Sequence, residues 1–475
     1  MFVYVQLDVY ILNTVTEVIL VHIRHLEPCA CDTTLSHVSY VACRHEYSMK
    51  VPHFFRARGG GNLLPDVNCS IVRWSIFMDP EFPPNREKLN IAFVCDAVTD
   101  CVAGSFISTL RFSERLAARG HKVIYIAAKS PRHPTDTTHG AIKAYRFRGF
   151  LLPKSEGQLY IAFSNTKKIK RILEDEGIHV VHTVIPTPLS VASTNAARAL
   201  GIKVVAHSHT QPENLTMHIP NKFIQQPINK YFYRYLSWLY SKADALIYPS
   251  EFAKKLMTNI HADIQTHVIS NGVETERFAP VATEEFFEKF DIPSKRTIVL
   301  YAGRLHPEKS LDTLIRAVPH ILEETPDAYF LLAGFGHQDT MLMALARKLG
   351  VDRHVKFLGR VSDEEMVMAQ HAADIFVLPS LAELEGMVVL EAMAAGKPIV
   401  IANSPESAST YFVDGNGLLF EPRDHRDLAT QVIRLVNDSE LRSEMSARSL
   451  QMSKDYDINE SVRRLEELYY SLLEK

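Results

Sequence analysis

Cysteine is scarce in this chain. Six occur in 475 residues, four of them before residue 70, which excludes a disulfide-stapled scaffold. No transmembrane run is present either. A span needs about 20 nearly charge-free residues, and the nearest approach, residues 1–21, is broken by Asp8 and Glu17. That stretch also lacks the basic start and small-residue cleavage site of a secretory leader. An excess of positive charge is missing: 52 Lys and Arg against 55 Asp and Glu give a net charge of -3, which argues against a general nucleic-acid binder. With 20 Gly and 24 Pro, no low-complexity tract stands out. What remains is an ordinary globular composition, 46% hydrophobic and 23% charged, long enough for two or three domains. A cytoplasmic protein is the default expectation, in solution or at the inner face of the membrane.

The first 77 residues differ from the rest, with four Cys, five His and no sustained helical or strand period. Two readings are open. Cys29, Cys31, Cys43 and His45 can form a small zinc module, although their spacing fits no standard pattern. Alternatively the segment is a poorly ordered extension, or the true start is Met78. From Leu89 onward, short apolar runs alternate with helical patterns. Strands are expected at 89–95, 123–128, 180–183, 204–207 and 245–248, with helices at 105–119, 160–176, 189–200 and 222–242. The alternation restarts after Pro280. Strands are then expected at 297–302, 328–333, 355–358, 374–378 and 398–402, and helices at 310–324, 338–349, 363–372, 385–395 and 425–437. The class is therefore α/β, with two doubly wound, parallel-sheet, Rossmann-like domains facing a central cleft. The expected division is an extension at 1–87, a first domain at 88–280, a second at 281–455, and a C-terminal helix at 456–475 crossing back to the first.

Four segments carry chemistry. In Pro379-Ser380-Leu381-Ala382-Glu383-Leu384-Glu385-Gly386-Met387-Val388-Val389-Leu390-Glu391, a strand ends and a helix opens. Glu383 in the loop and Glu391 in the helix can face one extended ligand. Gly386 permits close backbone approach, and the free N–H groups of Gly386, Met387 and Val388 form an anion site. In Gly303-Arg304-Leu305-His306-Pro307-Glu308-Lys309, two cations at one loop–helix junction suit a diphosphate. Gly104 and Ser105 open the first helix and can offer N–H groups to a phosphate. His209, with His207 as the alternative, ends a strand in Val204-Val205-Ala206-His207-Ser208-His209-Thr210. Gly334 closes another strand–helix junction, either near the nucleotide or as a simple tight turn.

These motifs resemble those of the retaining family 4, group 1 glycosyltransferases of GT-B fold, over residues 89–470. The segment from Glu383 to Glu391 is similar to their E-x7-E signature, and Gly303 to Lys309 to their G-R-L-x-x-x-K motif. Asn271-Gly272-Val273 is similar to the N-G-V segment that enters their hinge. The resemblance implies that Glu383 touches sugar hydroxyls and Glu391 the ribose hydroxyls. It also implies that Arg304 and Lys309 bind the donor diphosphate, and that His209 makes a polar contact to the sugar. One departure is Ser105, where the family has a second Gly.

The implied reaction moves a hexose from a UDP-glucose or GDP-mannose type donor to an acceptor hydroxyl. It proceeds with retention and without a metal or other cofactor. The acceptor is a lipid, a lipid-linked glycan or a small molecule, with Glu213 and Asn214 on its side of the cleft; diacylglycerol glucosyltransferases are among the similar enzymes. The competing readings are an inactive sugar-nucleotide-binding partner and a sugar-nucleotide epimerase. Residues 222–242 mix aromatics with cations and no acids. They read either as a membrane-surface helix or as a core helix packed on the sheet.

Overall fold

The computed structural model describes residues 86–97, 104–152, 159–212, 216, 221–257, 260, 264–293 and 295–474. Before them it gives the backbone strands Val5–Leu12, Val18–His25, Val38–Ala42 and Val72–Trp74, paired antiparallel. The expectation of no strand pattern there is corrected to that extent. Cys29, Cys31, Cys43 and His45 lie outside the described residues. Met1–Glu87 and Lys88–Lys475 are separate compact units, and everything below concerns the second.

That unit is built on two sheets. The first runs in the order Gln265–Val268, Ala245–Tyr248, Lys203–His207, Val180–Thr183, Asn90–Val94, Lys122–Ala128, Ile142–Phe147, Thr137–His139, with only the last pair antiparallel. The second is entirely parallel, in the order Val355–Gly359, Ala328–Ala333, Thr297–Ala302, Ile375–Leu378, Ile399–Ala402, Gly417–Phe420. In each the order of strand addition reverses, between Asn90–Val94 and Val180–Thr183 in the first and between Thr297–Ala302 and Ile375–Leu378 in the second, although the strands there are parallel. Such switch points leave a crevice at the carboxyl ends of the strands, where ligands bind.

The strands are continuous apolar runs because helices cover both faces. In the second sheet Ile298 to Ala302 are all buried, as are Ala328 to Ala333. The Leu311–Glu324 helix meets them with Leu311, Leu314, Ile315, Val318 and Ile321, a helical period of apolar residues. In the first sheet one face carries Ala92, Ile126 and Val181 against the 166–175, 188–200 and 222–240 helices. The other face, with Ile91, Phe93, Tyr125 and Val205, is covered by Gly104–Ala118 and by the C-terminal helix Ile458–Leu473. Tyr469 of that helix hydrogen-bonds His182 Nδ1 at 2.6 Å, and Glu466 takes both Arg119 and His121 at 2.6 Å.

The chain passes between the halves twice, and the two crossings touch. Val273 N–H donates to Tyr456 O at 2.8 Å, and Ile458 N–H to Val273 O at 2.9 Å. Gly272 must be glycine here: its φ is +72°, and a Cβ would sit 2.8 Å from Ile458 Cα.

One expected helix is corrected. Residues 160–165 are not helical; Tyr160–Ala162 pairs antiparallel with Gly149–Leu151. The helix starts at Thr166, where Asn165 caps it by accepting from Lys168 N–H at 2.8 Å. Strands Ile142–Phe147, Gln265–Val268 and Gly417–Phe420 were not anticipated.

Candidate active site

Two loops flank the switch point of the second sheet. The loop after Thr297–Ala302 carries Gly303 at φ +143°, and Tyr301 OH donates to Arg304 O at 2.7 Å. Gly334 lies against this loop, since a Cβ there would meet Gly303 O at 1.8 Å. Its close approach is thus to the protein's own backbone. Lys309 ends the short turn Pro307–Lys309. The loop after Ile375–Leu378 passes through Ala382–Glu383, which pairs with Glu406–Ser407. It then turns at Gly386, with φ +93° and Ser409 Oγ filling the place of a Cβ, into the helix Met387–Ala394.

The two loops meet through their charges. Lys309 Nζ ion-pairs with Glu383 Oε1, which also accepts from Ser380 Oγ at 2.7 Å. Side-chain exposure is 12% for Lys309 and 13% for Glu383, so the pair is shielded. Arg304 is more open, at 46%, and pairs with Glu308 at 3.2 Å. Both cations thus stand in the crevice, each held by a carboxylate.

The first half reaches the same loop and helix at four places. Gly104 lies against Met387, whose Sδ is 3.4 Å from where a Cβ would be. Ser250 Oγ donates to Leu384 O at 2.5 Å. Asn271 donates from its backbone N–H and from Nδ2 to Glu385 Oε2, at 3.1 and 2.6 Å, and accepts from Ser108 Oγ at 2.6 Å. Arg111 Nη2 donates to Glu391 Oε1 at 2.8 Å, and Arg111 Nε lies 3.5 Å from Glu274 Oε2. Sequence reasoning missed Arg111, Ser108, Glu274 and Glu385. The available signal was a polar stripe, Ser108–Arg111–Arg115, at helical spacing on the Gly104–Ala118 helix.

Burial sets the protonation of several groups. Glu385 is raised to about 7 by desolvation, against the hydrogen bonds from Ser270 and Asn271. Burial works against the charge on Arg111, yet Glu391 and then Glu274 hold it above its ordinary value. His209 and His182 are pushed down to about 3, chiefly by burial, and His207 falls well below the usual range for the same reason. The three rings step along the strand ends, 5.5 Å from His182 to His207 and 4.0 Å from His207 to His209. Asp96, which follows the first strand, is raised to about 6 by burial; it accepts from Ala162 N–H at 2.8 Å and Thr187 Oγ1 at 2.6 Å. His209 is therefore neutral near pH 7 and suits a polar contact rather than a charged one.

A cavity of about 610 Å³ opens between the halves, lined by Phe252, Lys255, Asn403, Ser404, Ser407 and Tyr411 among others. Ser407 is the register partner of Glu383 on the neighbouring strand. Ser105 follows Gly104 in the first turn of its helix, and Val388 follows Met387 in the second site helix. Glu213 and Asn214 lie outside the described residues. No group of three or more His, Cys, Asp or Glu fit to hold a metal occurs among the described residues, and no described helix is long and apolar enough to cross a membrane.

Two doubly wound sheets facing a charged crevice, closed by a returning C-terminal helix, define the GT-B class. The fold neighbours agree. Sucrose-phosphate synthase from Thermosynechococcus elongatus superposes with a TM-score of 0.68 at 21% identity, covering 81% of this chain and 99% of its own.

The sequence comparisons narrow the class. The group described as glycosyl transferases group 1 matches residues 282–452, and glycosyltransferase family 4 matches residues 102–277. A GDP-mannose-dependent monoacylated phosphatidylinositol monomannoside mannosyltransferase of Corynebacterium glutamicum is 28% identical over 58% of this chain and 72% of its own. A phosphatidyl-myo-inositol mannosyltransferase of Mycolicibacterium smegmatis is 26% identical over 78% of this chain and 90% of its own. The chain spans about half the length of the D-inositol 3-phosphate glycosyltransferases that it also matches. The chain belongs to the family 4, group 1 glycosyltransferases.

Proposed function

We propose that this glycosyltransferase moves a hexose from a nucleoside diphosphate sugar to a hydroxyl of a membrane lipid or lipid-linked glycan, with retention at the anomeric carbon. The observation that carries the donor side is the meeting of Lys309, Glu383 and the start of the Met387–Ala394 helix at the switch point of the second sheet. As the glycosidic bond breaks, negative charge grows on the diphosphate. Lys309, Arg304 and the N–H groups at Met387 and Val388 are already arranged to take it up, so little reorganisation is needed. Glu383 holds the sugar, Glu391 the ribose, and neutral His209 a sugar hydroxyl. Retention is carried over from the family motif. A nucleoside diphosphate leaving group needs only cationic and N–H stabilisation here, and the reading includes no metal.

The lipid acceptor rests on two supports. Relatives bear names that specify phosphatidylinositol acceptors. In addition, the Lys222–Tyr240 helix leaves Phe223, Ile224, Ile228, Tyr231 and Trp238 exposed, with Phe223 at 87%, beside exposed Lys230 and Arg234. Its inner residues Leu236, Leu239 and Tyr240 are core. The helix thus divides into a packed C-terminal part and an apolar, basic outer face suited to an anionic bilayer.

A thermal-shift panel of UDP- and GDP-sugars, followed by an acceptor screen with the stabilising donor, tests the reading. Stabilisation by one donor and transfer to a lipid hydroxyl are expected. No stabilisation by any nucleotide sugar would sink it.

A further inference from the structure

Arg111 belongs to none of the motifs that mark the donor site, yet it is the first-half side chain that grips Glu391. Its Nη2 donates to Glu391 Oε1 at 2.8 Å, and its Nε faces Glu274 at 3.5 Å. Side-chain exposure is 8% for Arg111 and 12% for Glu391, so the contact is shielded from water. The third guanidinium nitrogen, Nη1, is buried with no hydrogen-bond partner among the described residues. A buried charged donor left unmatched is unfavourable, and such atoms call for a reason.

A ribose hydroxyl both donates and accepts. Glu391 spends one oxygen on Arg111 and keeps the other for accepting; Arg111 keeps the N–H groups of Nη1 for donating. The two side chains side by side thus offer both halves of what a hydroxyl needs. Charge decides against a different use of Arg111. Paired with Glu391 at 2.8 Å and sharing Glu274 with Arg115 and Arg277, it is shielded where Arg304 is open, and it makes a poor diphosphate clamp.

We propose that Arg111 is a positioning residue for ribose: it fixes the Glu391 carboxylate across the cleft and completes the hydrogen bonding of the ribose hydroxyls. This rests on the donor-site reading above. It also makes nucleotide binding depend on the first half, because Arg111 sits on the Gly104–Ala118 helix.

The test compares binding of ribo- and 2′-deoxyribonucleoside diphosphates, in uridine and guanosine pairs, to the full chain by calorimetry. The wild-type chain is expected to prefer the ribo form about tenfold or more, the scale of one charge-assisted hydrogen bond. Arg111→Met, which keeps the apolar stem, is expected to bring the two forms within about twofold. Arg111→Lys, which keeps the charge without the planar fork, is expected to leave about threefold. Arg304→Ala should weaken both forms alike and leave the preference intact. A full wild-type preference in Arg111→Met and Arg111→Lys, or in Arg111→Lys alone if the Met variant does not fold, overturns the proposal. If the wild-type chain binds no nucleoside diphosphate, the donor-site reading itself fails, and the ribose role falls with it.

Discussion

The second sheet delivers its charged groups to the crevice from contiguous strand–loop–helix segments: Gly303 to Lys309 after one strand, Glu383 to Glu391 after the next. The first sheet delivers single side chains, Ser108 and Arg111 from one helix, Ser250 from another and Asn271 from the hinge. The difference follows from the switch point. Loops beside it can hold several ligand groups in one stretch of chain. The opposing half only has to meet that surface, and isolated residues on rigid elements suffice.

The comparison is sharpest at the two cations. Lys309 is shielded and paired with Glu383, while Arg304 is nearly half exposed. An interaction made in a water-poor site is worth more than one facing solvent. Lys309→Ala should therefore lower kcat by about a hundredfold or more, the usual loss for one preorganised donor, and Arg304→Ala by about tenfold. Steady-state kinetics with the donor found by thermal shift checks both. Equal losses would remove the contrast, and near-normal rates in both would remove the diphosphate assignment.

Each half also holds a buried acid whose proton is held more tightly than usual, Asp96 in the first and Glu385 in the second. Glu385 stands at about 7, raised from 4.5 by burial. The folded state holds that proton more tightly than the unfolded chain does. Its contribution to stability is complete below the unfolded value and is lost as pH climbs toward 7, by about 3 kcal/mol at most. Glu385→Gln should flatten this loss, read as the difference between urea melts at about pH 5 and about pH 8. Asp96, raised from 3.8 to about 6, should act the same way over a lower window, from about pH 4 to about pH 6. An unchanged pH slope in Glu385→Gln would place its proton elsewhere.

This contrast also explains what the sequence could disclose. The parallel sheets were legible because their strands are uninterrupted apolar runs, as at Ile298–Ala302. The strand Ile142–Phe147 was not, because Lys143 and Tyr145 alternate outward near the sheet edge. The helical pattern over 160–176 overruns the true helix because apolar residues continue on both sides of the N-cap Asn165. In the site, Glu383, Glu391, Arg304 and Lys309 stood out as motifs. Arg111 did not, since its partners Glu391 and Glu274 lie 280 and 163 positions away, and only folding reveals them. Similarly, Glu385 stood inside a recognised motif, but its burial against Asn271 depends on how the two halves meet.

The His209 contact should give an intermediate effect. With its titration pushed to about 3, the ring is neutral across the working range. His209→Ala should lower kcat about tenfold, as for the loss of a polar contact rather than of an acid–base group. The wild-type rate profile should then lack a histidine inflexion near pH 6 that disappears in this variant. Such an inflexion would give His209 a proton-transfer role.

The smallest effect on stability is expected where the first half faces outward. Phe223 and Tyr231 are 87% and 70% exposed on the Lys222–Tyr240 helix, and the helix is anchored from its other side by Leu236 and Leu239. Neither ring is part of the core, so Phe223→Ser with Tyr231→Ser should move the unfolding free energy by no more than about 0.5 kcal/mol per site. Donor turnover with a water-soluble acceptor should be unchanged, since no donor group lies on this helix. Binding to vesicles is where the pair should matter. Each buried aromatic ring contributes about 2 kcal/mol on leaving water, so losing two should weaken sedimentation with anionic vesicles at least tenfold, and neutral vesicles should bind poorly from the start because Lys230 and Arg234 contribute there. Unaltered vesicle binding in the double variant would show that the rings do not enter a bilayer, and would leave the lipid acceptor supported by the relatives alone.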